Sequence, residues 1–385
     1  MSCRGGEFSN FAAALRRGSL YALVLSVCLA AASPTPGFTS EPPKRVLFVN
    51  PGFADKGFWK AVSETMEAAA TALGFELTIV SGDRKWPLMV SRGLAALNDL
   101  KPDYAILVNE HQQVPQLMEA AEADGIKTIL LLNGLTADQE ARMNGPRQTL
   151  SNWLGTITPD NEIAGYEMAQ SLLTAGGALG LDKDGLSILT LAGDFKTPAS
   201  IVRLQGLDRA LQEFRPLSEA RRITVNWSER QAYERTKIFL KTSRVDGIWA
   251  ANDPIAIGAI KASREAGKEP GRDIVVTGLN WSREAVDLVR DGKMTLTHGG
   301  HFLAGAWVIV LLYDYENGKD FAEISSHLSF PMSSIHAGNA DAYVDAFGDG
   351  DWSKINFKHF SRAENPSLKK YPFNLTALLS SRRVD

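Results

Sequence analysis

The chain has 385 residues, 44% of them hydrophobic and 22% charged, which is the composition of a globular protein and excludes a disordered or membrane-embedded chain. A formal net charge of −3 supplies no basic field for nucleic acid. The length suits two domains of ordinary size.

Arg16 and Arg17 precede an apolar run from Leu20 to Ala32, the length of a signal-peptide core and short for a membrane span. Ala30-Ala31-Ala32 offers a small-residue cleavage site, so residues 1–32 are expected to be an export leader and the protein to act in the periplasm. Both cysteines, Cys3 and Cys28, fall in this leader; Val27 is bulky for the position before a lipidated cysteine. The mature chain then has no disulfide, no thiolate nucleophile and no Cys-ligated zinc.

From Lys44 onward short apolar runs alternate with amphipathic stretches. Val46–Val49 predicts a strand and Phe58–Leu73 a helix closed by Gly74. Glu76–Val80, Leu88–Leu100, Tyr104–Val108, Val114–Asp124 and Thr128–Leu132 continue as strand, helix, strand, helix and strand. Strands apolar on both faces imply a parallel sheet, and strand–helix alternation implies a doubly wound layer. Thr136–Leu150 is polar and reads as a loop or short helical insertion. Alternation resumes with helix Ile163–Leu173, strand Leu186–Leu191, helix Ala199–Phe214, strand Ile223–Asn226 and helix Ala232–Leu240. Gly247–Ala250, Ile255–Ala266, Ile274–Gly278, Ala285–Arg290, Met294–Thr297 and Leu303–Tyr315 complete a second α/β half. Ser325–Asp385 is aromatic and polar, with Tyr343, Phe347, Trp352, Phe357, Phe360, Tyr371 and Phe373. It reads either as a tail packed over the second domain or as a docking surface for a membrane partner.

Enzyme motifs are missing where they would stand. The segment Asn50–Trp59 is long and aromatic and has no G-x-G-x-x-G, and Gly176, Gly177 and Gly180 precede a strand instead of following one. No Walker loop, G-x-S-x-G elbow or H-E-x-x-H occurs. His298 and His301 could share a metal, but no acidic or cysteine partner lies nearby in sequence. The expectation is a protein that is not an enzyme and holds no cofactor or metal.

Three segments carry a family likeness. Gly247–Ala259 contains a strand, Asn252-Asp253 and a small-residue helix; Val275–Asn280 follows; then Arg290–Thr297 gives a helix end, Gly292-Lys293 and a strand. In this order they resemble the type I periplasmic binding proteins, the ribose- and galactose-binding group that shares its ligand domain with LacI-type repressors. The likeness runs from about Lys44 to Asn317. It implies two Rossmann-like α/β lobes with parallel sheets flanked by helices, joined by crossover strands. Residues 44–155 plus 300–328 would form the N-terminal lobe, and 156–299 plus 329–385 the C-terminal lobe with its tail. The ligand would lie in the interlobe cleft.

By position the resemblance assigns ligand contacts to Lys56, Phe58 and Trp59 in the first loop, and to Asn133, Arg203, Tyr233, Asn252 and Asn280. Adjacent Phe58 and Trp59 cannot both face inward on a helix. A capping role suits Asp253, before Pro254, better than Asn252. The chain departs from the family at three places: Asn133-Gly134 replaces Asp-Arg, Asn280 replaces an aspartate, and no glutamine stands near His298–Gly300. An amide donates and accepts where a carboxylate only accepts. With Lys56 and Arg203 still cationic, the expected ligand is something other than a simple hexose or ribose, with anionic character. The implied function is capture of a small sugar-like solute for a membrane ABC permease, or as the alternative a sensor whose closed form docks on a receptor or histidine kinase, acting as a monomer. A repressor would need a helix-turn-helix where the leader stands, so no nucleic-acid partner is expected.

Overall fold

The computed structural model describes residues 42–382. The leader expected over 1–32, with Cys3 and Cys28, lies outside the described residues. Among the described residues, those from Pro43 onward form one compact unit.

The first half runs β1 (Arg45–Asn50), α1 (Gly57–Leu73), β2 (Glu76–Ser81), α2 (Trp86–Leu100), β3 (Tyr104–Leu107), α3 (Pro115–Ala123), β4 (Lys127–Leu131), α4 (Ala137–Met143) and β5 (Trp153–Pro159). The second runs α5 (Asn161–Ala178), β6 (Leu186–Ala192), α6 (Pro198–Glu213), β7 (Leu217–Thr224), α7 (Glu229–Phe239), β8 (Gly247–Ala250), α8 (Asp253–Glu265), β9 (Val275–Leu279), α9 (Arg283–Arg290) and β10 (Leu296–Gly299). After it come α10 (Ala304–Glu316), β11 (His327–Phe330), β12 (Ser333–His336), α11 (Ala340–Phe347) and α12 (Leu375–Ser380).

Two six-stranded sheets form, ordered β11-β5-β4-β3-β1-β2 and β12-β10-β9-β8-β6-β7. All pairings are parallel except β10 with β12. Along β1, Val46 and Phe48 enter one apolar cluster and Leu47 and Val49 another. That alternation is what a strand covered by helices on both faces requires. The two sheets share one winding order, so each lobe has its topological switch, and hence its binding crevice, at the carboxyl ends of its strands.

The chain passes between lobes after β5, between β10 and α10, and between β11 and β12. The whole of β5 belongs to the first sheet, so the first passage follows Pro159 and not residue 155. No element was expected over β5, because Gly155 and its threonines break the apolar run. Pairing with β4 on one side and β11 on the other makes it a strand. Likewise β7 starts well before Ile223; it is a polar edge strand with one neighbour, the kind of strand that periodicity underreads.

The last segment departs from expectation more. Strand β12 and helix α11 pack with α9 on the second lobe, but Trp352–Lys354 and Phe357–Phe360 pack on α1, the latter also on α10, in the first. Phe373 stacks on Trp307 of α10 at 4.7 Å and Phe360 packs on it at 4.5 Å. Asp314 of α10, fully buried, accepts from the Ser361 hydroxyl and from the amides of Arg362 (2.7 Å) and Ala363 (3.2 Å). The tail therefore covers the first lobe as well as the second, and seven of its eight aromatic residues are buried, Tyr371 partly.

Candidate ligand-binding site

A cavity of about 360 Å³ lies between the carboxyl ends of the two sheets, lined from both lobes. It is within the size range of small-molecule sites. Its wall includes Lys56, Phe58, Trp59, Asn133, Arg203, Asn252 and Asn280, together with Phe53, Arg84, Glu110, Trp227 and His301.

The loop after β1 is built around Asn50, whose Oδ1 accepts from the Gly52 amide at 2.7 Å while Nδ2 donates to Ser63 at 3.0 Å. Gly52 leaves room for the Trp59 ring, which a Cβ there would meet at 2.4 Å. Trp59 is buried and Phe58 half-buried, their rings edge to face at 5.3 Å. Both nevertheless reach the cavity, because they begin α1 at its mouth. Phe58 also stacks on His301 at 4.5 Å. Lys56 lies 4.5 Å over the exposed Phe53 ring.

On the second lobe Gly193 makes the matching space for Trp227. Asp194 accepts from the Lys196 amide, the Thr197 amide and hydroxyl, and Trp227 Nε1 at 2.6 Å, which fixes that indole at the cavity. Burial pushes the Asp194 carboxyl up, but these hydrogen bonds outweigh it and hold it below its ordinary value.

Arg203 on α6 is 3% exposed. Its Nε and Nη2 donate to Asn161 Oδ1 at 3.1 and 2.7 Å and its Nη1 to the Ala251 carbonyl at 2.6 Å. A guanidinium carries five donors, so two remain for whatever fills the cavity. Burial pulls its pKa down to about 9 against the pull of Asp253, which leaves it protonated at neutral pH. Asn252 is the cap of α8: its Oδ1 accepts from the Ile255 amide at 3.0 Å. The capping role expected for Asp253 thus belongs to Asn252, whose Nδ2 has no hydrogen-bond partner among the described residues. Asp253 is instead buried, holding the Ser282 amide and the Thr297 hydroxyl, and burial lifts it to about 6 against those bonds.

Asn133 stands two residues past β4 and its Oδ1 accepts from the Ala199 amide of the second lobe at 3.4 Å, a direct bond across the cleft. Left-handed backbone at non-glycine residues gathers at these strand ends: Arg84 (φ 60°), Leu132 (φ 64°), Asn226 (φ 49°) and Trp227 (φ 59°) all line the cavity. Such conformations persist where surrounding structure enforces them, often at binding sites.

Tyr233 is the one proposed contact that does not reach the cavity. It lies on α7 with its hydroxyl on Glu265 of α8 at 2.7 Å. Trp227, in the turn before α7, supplies the second lobe's aromatic face. His298 lies beside the site, bonded to Ser334 at 2.7 Å, while His301 lines it with Nδ1 buried and unpaired. Arg84, Glu110, Trp227 and His301 were not nominated from sequence. Each stands just past a strand or in a crossover, so the rule that ligands bind at strand carboxyl ends was the signal for them.

The sequence signature described as "periplasmic binding protein domain" matches residues 46–320. The chain is similar to a periplasmic sugar-binding protein from Pseudomonas fluorescens, with 31% identity and a TM-score of 0.78 over 87% of this chain and 99% of that one. It is also similar to a D-apiose import binding protein of Paraburkholderia graminis, 24% identical over 67% of this chain and 76% of that protein. A solute-binding protein of an Actinobacillus succinogenes ABC transporter, solved with D-allose, shares the fold at 21% identity and a TM-score of 0.66, covering 78% of this chain and 100% of that one. With the two-lobed fold, the interlobe cavity and these likenesses together, the chain belongs to the periplasmic binding protein family.

Proposed function

We propose that this protein captures a sugar or sugar-like polyol in the interlobe cavity, unaltered, and delivers it from the periplasm to a membrane ABC importer. The observation that carries this reading is the cavity wall itself. Phe58, Trp59 and Trp227 offer aromatic faces to the C–H surfaces of a sugar, and Arg203, Asn133, Asn252 and Asn280 offer planar polar groups to its hydroxyls. Relatives named for D-apiose, D-allose and ribose import support the ligand class. Lys56 contributes from the rim.

A thermal-shift screen against pentoses, hexoses, polyols and sugar acids tests it. A ligand present at 100 times its dissociation constant stabilises the fold by about 2.7 kcal/mol. The expected result is a shift that disappears in Arg203→Ala and Asn252→Ala. A folded protein that no member of the panel shifts would overturn the sugar reading.

A further inference from the structure

The positions where the family carries acids hold Asn133 and Asn280 here, yet the cavity contains a carboxylate brought in by another loop. Glu110 follows β3, is 7% exposed and lines the cavity. Its carboxylate accepts no hydrogen bond from any described residue, and among the described residues its ion-pair partner is Arg84 Nη1 at 3.8 Å. An ionised carboxylate offers about four acceptor sites, and leaving these empty in a buried place is costly.

The position is enforced. Asn109 donates to the Gly134 carbonyl at 2.9 Å and to Gln139 at 2.8 Å, and Gln139 donates to the Gln112 carbonyl at 2.8 Å. His111 and Gln112 both take left-handed backbone, φ 48° and 62°. The loop thus spends hydrogen bonds and strain to set Glu110 against the cavity.

Burial pushes the Glu110 carboxyl above its ordinary value, Arg84 pulls it back, and the charge of Asp194 on the second lobe adds a smaller upward push. The Asp194 oxygens are already occupied by Lys196, Thr197 and Trp227. The charges acting on Glu110 are Arg84, His111 and Asp194; Arg203 and His301 answer to Asp253, His298 and one another. The cavity wall thus offers acceptor oxygens at Glu110 and donors at Arg203.

Resting on the sugar reading above, we infer that Glu110 is a specificity-determining ligand contact: it accepts hydrogen bonds from adjacent hydroxyls of a neutral sugar or polyol and rejects any ligand that presents a carboxylate at that end. The anionic ligand expected from the amide substitutions is accommodated only with its charge at Arg203.

Glu110→Gln keeps the shape and removes the charge. Two measurements test it. In the unliganded protein, the thermal midpoint of Glu110→Gln stays level or rises, because a buried carboxylate with no hydrogen-bond donor is relieved; a carboxylate serving as a structural partner of Arg84 would give a lower midpoint, which overturns the inference. In titration calorimetry with whichever of D-apiose, D-ribose, D-allose, xylitol or myo-inositol shifts the wild type, the variant binds at least about tenfold more weakly, and its preference for that probe over the matching sugar acid narrows. Equal affinity within about twofold overturns the inference. Should none of these probes bind the wild type, the sugar reading fails by itself, and the midpoint comparison still decides what Glu110 does.

Discussion

Arg203 shows how one side chain can be both framework and recognition group. Three of its hydrogen bonds are internal, to Asn161 and Ala251, and they aim the rest of the fork into the cavity. Lysine carries the same charge as a single point and cannot reproduce the fork. Arg203→Lys is expected to fold and to weaken sugar binding by about 10–100-fold, the loss of one or two charge-assisted hydrogen bonds; calorimetry with the screening hit checks this, and unchanged affinity would mean that the ligand does not touch the guanidinium. His298 governs acid stability. Burial, aided by the charge of Arg203, lowers it to about 3, and the same causes lower His301. An unfolded histidine takes its proton near pH 6.5, so between about 6.5 and 3 the unfolded chain binds more protons. The stability from His298 is full above about 6.5 and is lost as pH falls toward 3. Asp253 acts in the opposite sense: its pKa is raised from 3.8 to about 6, so falling pH across that window favours the folded state. Glu110 and Glu167, also raised by burial, act in the same sense as Asp253, whereas the two histidines act together against them. His298→Asn, which can keep a bond to Ser334, should flatten the fall of the thermal midpoint between pH 6.5 and 4. An unchanged slope would show that His298 takes its proton as readily in the folded protein as in the unfolded chain.

At the scale of elements, site residues are placed by helices that cross very closely. A Cβ on Gly165 of α5 would stand 1.9 Å from the Arg203 carbonyl of α6, and one on Gly206 of α6 would stand 1.9 Å from the Glu162 carbonyl of α5. The two backbones touch through reciprocal glycines, and this sets Arg203 against Asn161 on the neighbouring helix. Gly206→Ala must push the helices apart. Overpacking of this kind costs about 1–3 kcal/mol, read as a lowered urea midpoint, and it should weaken ligand binding because Arg203 moves with its helix. Full stability in the alanine variant would mean that the crossing gives way freely. The elements themselves were mostly legible in the sequence. Strands β1, β3, β4, β8 and β9 are short apolar runs and α1 is strongly patterned, ending at Gly74 in the left-handed conformation (φ 81°). Strands β5 and β7 were missed wholly or in part because their composition is polar or glycine-containing and their pairing partners are distant in sequence.

For the whole molecule, the tail alters how the lobes are covered. After α11 on the second lobe it returns to the first, where Phe360 and Phe373 enclose Trp307 and Asp314 ties down Ser361 and the two amides after it. Trp307→Ala removes the ring on which this segment seats. A loss of about 3–5 kcal/mol is expected, with faster proteolysis after Asp349. Wild-type resistance in that variant would show that Asp314 alone holds the tail.

What the sequence determined by itself was whatever depends on neighbours along the chain: the alternation of strand and helix, the parallel sheets, and those cavity residues embedded in ordered motifs, such as Lys56, Phe58, Arg203 and Asn252. Tertiary structure decided what depends on distant segments meeting. Tyr233 sits at a plausible spacing, but the register of α7 on α8 turns it to Glu265, and Trp227 takes the cavity face. Glu110 and Arg84 lie in loops with no periodicity; only the strand order and the apposition of the lobes bring them into one cavity with Arg203 and His301. The aromatic content of the tail left a packed tail over the second domain and a docking surface both open; packing buries it, over both lobes. Local patterns record which residues must leave water, whereas partners are chosen by packing between segments that the sequence keeps far apart.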